Sequence, residues 1–155
     1  MPINNPYPMA DIHYFAYKSA IQTVNNSNVF VADTHLFIPV LANEVWLFKF
    51  NICYMSHGIA DIKFKLRHLG AAGTVFRAWL LGSRLEGIEN NNWLKIGEPW
   101  SRGIGIADSV WCSIEGWAEV AAAPGTIKLQ WAQQVANASD TSLLENSNVI
   151  AHRVK

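Results

Sequence analysis

The chain has 155 residues, of which 50% are apolar and only 15% charged, and twelve basic residues balance twelve acidic ones. This length suits one domain with one core, and a formal net charge of zero gives no long-range field to attract nucleic acid or an anionic membrane. A chain poor in charge with seven tryptophans is expected to place part of its apolar area in a subunit interface.

Residues 1–18 are predicted to form an extended arm, because Pro2, Pro6 and Pro8 fix φ and lack the backbone donor that a helix needs. An arm of this kind requires a surface to lie on. Its predicted contact residues are Pro2, Ile3, Pro6, Tyr7, Pro8, Tyr14 and Phe15. The segment has neither the basic start nor the apolar run of a secretory signal, and no window has the roughly 18 apolar residues of a membrane span, so we expect a chain made in a reducing cytosol.

Residues 19–155 are predicted to form an all-β domain of short strands separated by Gly, Asn, Pro and Asp clusters. The longest strand candidate, 44–55, is largely apolar on both faces, which is unusual for a strand of a small antiparallel sheet. The next candidate, 61–69, alternates apolar residues with Lys63, Lys65 and Arg67 and is predicted to form a hairpin with it. These three cations are interpreted as an ordinary solvated ridge, with an acidic partner as the alternative.

The segment 82–105 is rich in Asn, Gly and Pro and is predicted to form loops, with Trp93 and Trp100 as anchors. The strand candidate 109–120 then places Trp111 and Trp117 on one face together with Glu115. A tryptophan on the outer face leaves apolar area exposed unless another surface covers it. The predicted subunit-interface residues are Trp111, Trp117, Glu115 and Tyr54. Cover from the 82–105 loop is the alternative.

Two further strands are predicted at 125–135 and 149–154, on either side of a polar loop at 137–148. The total of about eight to ten strands suits two packed antiparallel sheets with Greek-key connections. The predicted fold class is therefore an all-β antiparallel sandwich with jelly-roll topology, preceded by the extended arm.

The closing sequence GTIKLQWAQQVANASDTSLLENSNVIAHRVK, residues 125–155, resembles the last strands of bacteriophage virion proteins with a tumour-necrosis-factor-like jelly roll. The segment EVWLFKFNICYMSHGIADIKFKL, residues 44–66, is similar to the middle of the same group. Together these segments span a third to a half of the chain. The sequence departs from a typical fibre of this group because no collagen-like repeat or heptad stalk precedes the jelly roll.

The resemblance implies a homotrimer on a virus particle. We expect a decoration or cement protein that binds the major capsid protein or other virion proteins on the outside of the capsid, with the arm lying across capsid subunits. A receptor- or glycan-binding tip of a tail or head fibre is the alternative, and a cupin-like metal enzyme is a more distant one.

No enzyme motif is found in the sequence. The five histidines have neither HxH nor HxxxH spacing, and nucleotide-binding and nucleophile-elbow patterns are missing. Glu86 and Glu89 lie in the Gly/Asn-rich loop and are interpreted as solvated. Cys53 and Cys112 fall in strand-like runs and are predicted to be buried thiols, with a disulfide as the alternative. We therefore expect no catalytic residues, metal, cofactor or small-molecule substrate.

Overall fold

The computed structural model describes residues 13–70, 73–82, 93–94, 100–102 and 106–155. Within these ranges the chain forms twelve β-strands and no helix. The strands are β1 (His13–Tyr17), β2 (Gln22–Val24), β3 (Val31–Val40), β4 (Val45–Ser56), β5 (Ile62–Leu69), β6 (Val75–Gly82), β7 (Trp93–Leu94), β8 (Trp100–Arg102), β9 (Ile106–Glu119), β10 (Gly125–Gln133), β11 (Thr141–Leu143) and β12 (Asn148–Arg153).

The strands form two antiparallel sheets, which confirms the predicted all-β sandwich. The large sheet has the order β1-β12-β4-β9-β6-β7, with β11 pairing β4 and β2, and the small sheet has the order β3-β10-β5-β8. Most neighbours within a sheet are not consecutive in the chain, so the connections pass between the sheets. Jelly-roll topology in the strict sense stays a prediction.

The core lies between the two sheets and is formed by the inward side chains of both. Phe50, Ile52 and Tyr54 of β4 and Phe64 of β5 are buried in this core, and the Tyr54 and Phe64 rings meet edge to face at 5.7 Å. Trp131 of β10 is fully buried beside them. The alternation predicted for 44–55 and 109–120 is confirmed, because inward residues along both strands are buried. In 125–135, Ile127, Leu129 and Trp131 are buried as predicted, but Gln130, predicted to point to solvent, is buried as well.

The predicted hairpin between 44–55 and 61–69 is wrong, because β4 lies in the large sheet and β5 in the small one. The turn between them is closed by His57 O, which accepts hydrogen bonds from the N–H groups of Ala60 and Asp61. Asp61 has φ of 48°, in the left-handed region. The turn therefore carries the chain from the large sheet to the small sheet. The apolar faces of β4 and β5 meet across the core, whereas the two strands of a hairpin would lie side by side in one sheet.

Two predicted loops contain strands. The segment 82–105 contributes β7, which pairs with β6, and β8, which pairs with β5. The rest of that segment, including Glu86 and Glu89, lies outside the described residues. In the polar loop 137–148, β11 pairs with β2 and β4, and its three residues are buried. Short polar strands such as Thr141–Leu143 lack the alternation that reveals a strand in a sequence.

Residues 13–18 of the predicted arm lie in the sandwich. His13–Tyr17 form β1, which pairs with β12 at the edge of the large sheet, and Lys18 is fully buried. The Lys18 ammonium lies 2.7 Å from the Asp33 carboxylate, and both side chains have no solvent exposure. Asp33 also accepts hydrogen bonds from the N–H groups of His35 and Leu36. This ion pair joins the chain after β1 to β3 of the opposite sheet.

Cys53 and Cys112 are free, buried thiols on the two central strands of the large sheet, which confirms the prediction for both. Burial raises the pKa of the Cys53 thiol above its ordinary value. The thiol is therefore held in its neutral, unreactive form.

Glu44 lies before β4 and collects three hydrogen bonds at one end of the sandwich. Its carboxylate accepts from Leu41 N at 2.7 Å, from the Trp46 indole at 2.9 Å and from the Arg153 guanidinium at 2.8 Å. Burial acts to raise the pKa of Glu44, but these donors outweigh it and hold the pKa below 4.5.

Replacing Glu44 with glutamine is expected to lower the free energy of unfolding by about 2 kcal/mol at neutral pH, because hydrogen bonds to a charged group are lost. A carboxylate with a depressed pKa stabilises the fold above its unfolded pKa, and that contribution disappears as the pH falls through the folded pKa. Urea unfolding should therefore show the difference between Glu44→Gln and wild type shrinking below pH 4.5. Glu145→Gln, which changes an exposed carboxylate, is the control. A stability difference between Glu44→Gln and wild type that is the same at neutral pH and below pH 4.5 would contradict this assignment.

Candidate subunit interface

The outer face of the large sheet brings outward side chains of five strands into one surface. Strand register aligns Phe15 with Ile150, Ile150 with Lys49, Lys49 with Glu115 and Glu115 with Trp79. The adjacent row consists of His13, His152, Leu47, Trp117 and Arg77, and the row on the other side consists of Tyr17, Asn148, Asn51, Ser113 and Leu81. Beyond that last row, Trp111 of β9 lies opposite Cys53 of β4, and Met55 follows on the same side of β4. We call this whole surface the aromatic face.

Large apolar side chains on the aromatic face are open to solvent in the isolated chain. Phe15 is 62% exposed, Ile150 50%, Leu47 47% and Trp111 45%. Tyr17, Met55 and Leu81 are exposed beside them. Scattered exposed apolar residues are ordinary, but a contiguous patch of them that includes aromatic residues marks an interaction surface.

The charged groups of this face are mostly paired with each other. The Lys49 ammonium lies 2.6 Å from the Glu115 carboxylate, and the Arg77 guanidinium lies 5.9 Å from the centroid of the Trp117 ring. Asn51 donates to Asn148 at 2.8 Å. Because these charged and polar groups already have partners within the chain, a second subunit that covers the face would bury few charges without a partner.

Three of the four predicted interface residues share this face. Trp111, Glu115 and Trp117 all point outward from β9. Tyr54 does not join them, because it is 1% exposed and packs on Phe64 in the core. Tyr54 lies in the core because side chains alternate between the two faces of a sheet. Its pairing partner on β9, Val110, points inward, whereas the next residue, Trp111, points outward.

The sequence reasoning missed the contributions of β1 and β12. Phe15 was assigned to the arm and Ile150 to the last strand with no role, yet the two lie opposite each other on the aromatic face. Tyr14 points the other way, half-buried, with its ring 6.4 Å from that of Phe37, and burial raises its pKa. The sequence signal that could have revealed this is the alternation of side chains along His13–Tyr17, which places Phe15 and Tyr17 on the same outward face. Pro2, Ile3, Pro6, Tyr7 and Pro8 lie outside the described residues, as do the side chains of Trp93 and Trp100.

Among the described residues, no three His, Cys, Asp or Glu side chains lie close enough together to hold a metal ion. Nor do those residues include a helix of the length and hydropathy that crossing a bilayer takes.

No protein-family model matches the chain, and no curated protein sequence matches it. Among solved structures, the chain is similar to the VP2 subviral particle of infectious bursal disease virus, at 11% identity and a TM-score of 0.25, with 94% of this chain and 42% of that chain covered. The Gx strain of the same virus gives 11% identity and a TM-score of 0.24, with 92% and 42% covered. The chain thus spans less than half of these viral chains, and superposition scores this low do not establish a common fold.

Proposed function

We propose that the chain is a structural protein of a virus particle that associates with itself through the aromatic face, as a homotrimer, and decorates the outside of the capsid. The observation that carries self-association is the set of large exposed apolar side chains on the outer face of β1, β12, β4 and β9. The trimer and the virion location are supported by the resemblance of residues 44–66 and 125–155 to phage jelly-roll proteins.

The chemistry of the aromatic face suits a contact between proteins. Tryptophan, tyrosine and phenylalanine are enriched at such contacts, and unpaired charges are depleted. Each apolar Å² removed from water contributes about 25 cal/mol to association. A symmetric assembly then presents several copies of any capsid contact at once, so that contacts that are weak alone act together through a high effective concentration. Such an assembly resists internal pressure by holding neighbouring capsid subunits in place.

The first experiment is a mass measurement of the purified chain by light scattering over a range of concentrations. We expect a particle of about three times the 17.3 kDa chain mass. A species of 17.3 kDa at every concentration would overturn the proposed self-association.

Capsid attachment is tested separately, with undecorated capsids of the virus that encodes the chain. Because β1 belongs to the sheet, the deletion that tests the arm removes residues 1–12 and keeps His13–Tyr17. We expect this deletion to abolish capsid binding and to leave the trimer intact. Full capsid binding by the shortened trimer would show that the arm is not the attachment element.

A further inference from the structure

The outer face of the small sheet carries a cluster of positive charge that forms no ion pair with a described carboxylate. Lys63, Lys65 and Arg67 point outward from β5, and Lys128 of β10 lies directly opposite Arg67 in the strand register. Outward positions of β3 and β10 next to them hold Phe37, Pro39, Thr126, Gln130 and Ala132. Among the described residues, none of these four cations forms an ion pair. We call Lys63, Lys65, Arg67 and Lys128 the cationic face.

This arrangement works against the stability of the isolated chain. Like charges directly opposite on neighbouring strands repel each other, and Arg67 and Lys128 are placed in that way. The chain is neutral as a whole, and its other described cations include Lys18, Lys49 and Arg153, each of which is paired with an acidic side chain. The cationic face therefore differs from these three cations, because its four charges have no carboxylate partner among the described residues.

Two phenylalanine rings hold the lysines in place. The ammonium groups of Lys63 and Lys65 lie 4.9 and 4.7 Å from the centroid of the Phe30 ring, and that of Lys128 lies 5.5 Å from the centroid of Phe37. Cation–π contacts of this length are attractive and restrict the long side chains. The charges are thus presented in a fixed pattern with a lower entropic cost of binding.

We infer that the cationic face docks onto a carboxylate-rich protein surface. Outward side chains along β5 are separated by about 6.6 to 6.8 Å, the same spacing as alternate acidic side chains on an extended partner strand. Assigning that surface to the capsid rests on the proposed function, whereas the recognition of carboxylates by this face does not.

Single-stranded nucleic acid is the other polyanion to consider, and the geometry favours it less. Proteins that bind single strands stack bases on open aromatic rings. Phe30 and Phe37 already have lysine ammonium groups over their rings. The zero net charge of the chain also removes the long-range attraction that nucleic-acid binding uses.

The test compares the full-length wild-type protein with Arg67→Gln/Lys128→Gln in binding a labelled polyglutamate peptide, followed by fluorescence anisotropy at low ionic strength. We expect the double variant to bind about tenfold more weakly, since two exposed charge pairs are lost. Lys155→Gln removes a charge at the exposed C-terminus and is expected to bind like wild type. Thermal unfolding is the second readout: the double variant should be at least as stable as wild type, because a repulsive pair is removed.

Equal binding of the peptide by wild type and the double variant, or no binding by wild type, would overturn the inference. Tighter binding of a single-stranded oligothymidylate than of polyglutamate would replace the protein partner with nucleic acid and overturn it as well. A protein that stays monomeric yet binds polyglutamate through this face would contradict the proposed trimer and leave carboxylate recognition standing. Light scattering of the same samples separates these outcomes.

Discussion

Replacing Lys18 with methionine is expected to lower the free energy of unfolding by about 3–5 kcal/mol. The substitution leaves the Asp33 carboxylate fully buried and without its counter-charge, and a buried charge without a partner costs several kcal/mol. Asp33 cannot turn to solvent, because the N–H groups of His35 and Leu36 hold it at 2.8 Å each. Urea unfolding followed by tryptophan fluorescence measures the change.

The double variant Lys18→Met/Asp33→Asn separates a lost charge from lost packing. A neutral amide keeps an oxygen for His35 N and Leu36 N and needs no counter-charge, so the double variant should be more stable than Lys18→Met alone. Lys155→Met is the control for removing an exposed lysine. A loss of under about 1 kcal/mol in Lys18→Met, the range of a surface pair, would show that the ion pair does not anchor β1 to β3.

Replacing Trp111 with aspartate is expected to convert the assembly into monomers. Trp111 is 45% exposed on the aromatic face, so the isolated fold tolerates a polar residue there, whereas an interface would bury an unpaired carboxylate. Loss of a tryptophan that anchors an interface weakens association by about 2 kcal/mol or more, which corresponds to roughly 30-fold in the dissociation constant. Light scattering over a concentration series measures the shift, and Trp117→Asp is expected to act in the same direction.

The matched control for Trp111→Asp is Val29→Asp. Val29 is 69% exposed and lies just before β3 of the small sheet, away from the aromatic face, so this variant should assemble like wild type. Unfolding curves of both variants confirm that the fold persists. If Trp111→Asp and Trp117→Asp both assemble normally, the subunit contact lies on another surface and the role proposed for the aromatic face is wrong.

The sequence was most informative where strands are half-buried. The alternation along 44–55 and 109–120 predicted which residues lie in the core and which point outward, because a period of two leaves one choice of face. It also brought Trp111, Glu115 and Trp117 to one surface. It misassigned Tyr54 to the interface, although its position on β4 places it in the core.

Pairing between strands could not be read in the same way. Alternation indicates a face and not a neighbour, so β4 and β5 were predicted to pair although the turn at Asp61 sends them to different sheets. The partners of β1 lie at the far end of the chain, and no local pattern connects Phe15 with Ile150. The charge pairing of Lys18 with Asp33 was missed for a similar reason, since fifteen residues separate them in the sequence.

One buried amide, that of Gln133 at the end of the LQWAQ segment, closes one end of the sandwich. Its oxygen accepts from Ser27 N and Asn137 N, each at 3.0 Å, and its nitrogen donates to the carbonyl groups of Asn137 and Ser139 at 3.1 and 2.7 Å. Together with the hydrogen bonds of Asn26 N to Asn137 O and of the Asn25 amide to Ala138 O, this side chain joins two loops that are more than a hundred residues apart. In amide hydrogen exchange, Ser27 and Asn137 should lose protection together, as one cooperative opening unit, whichever loop moves first.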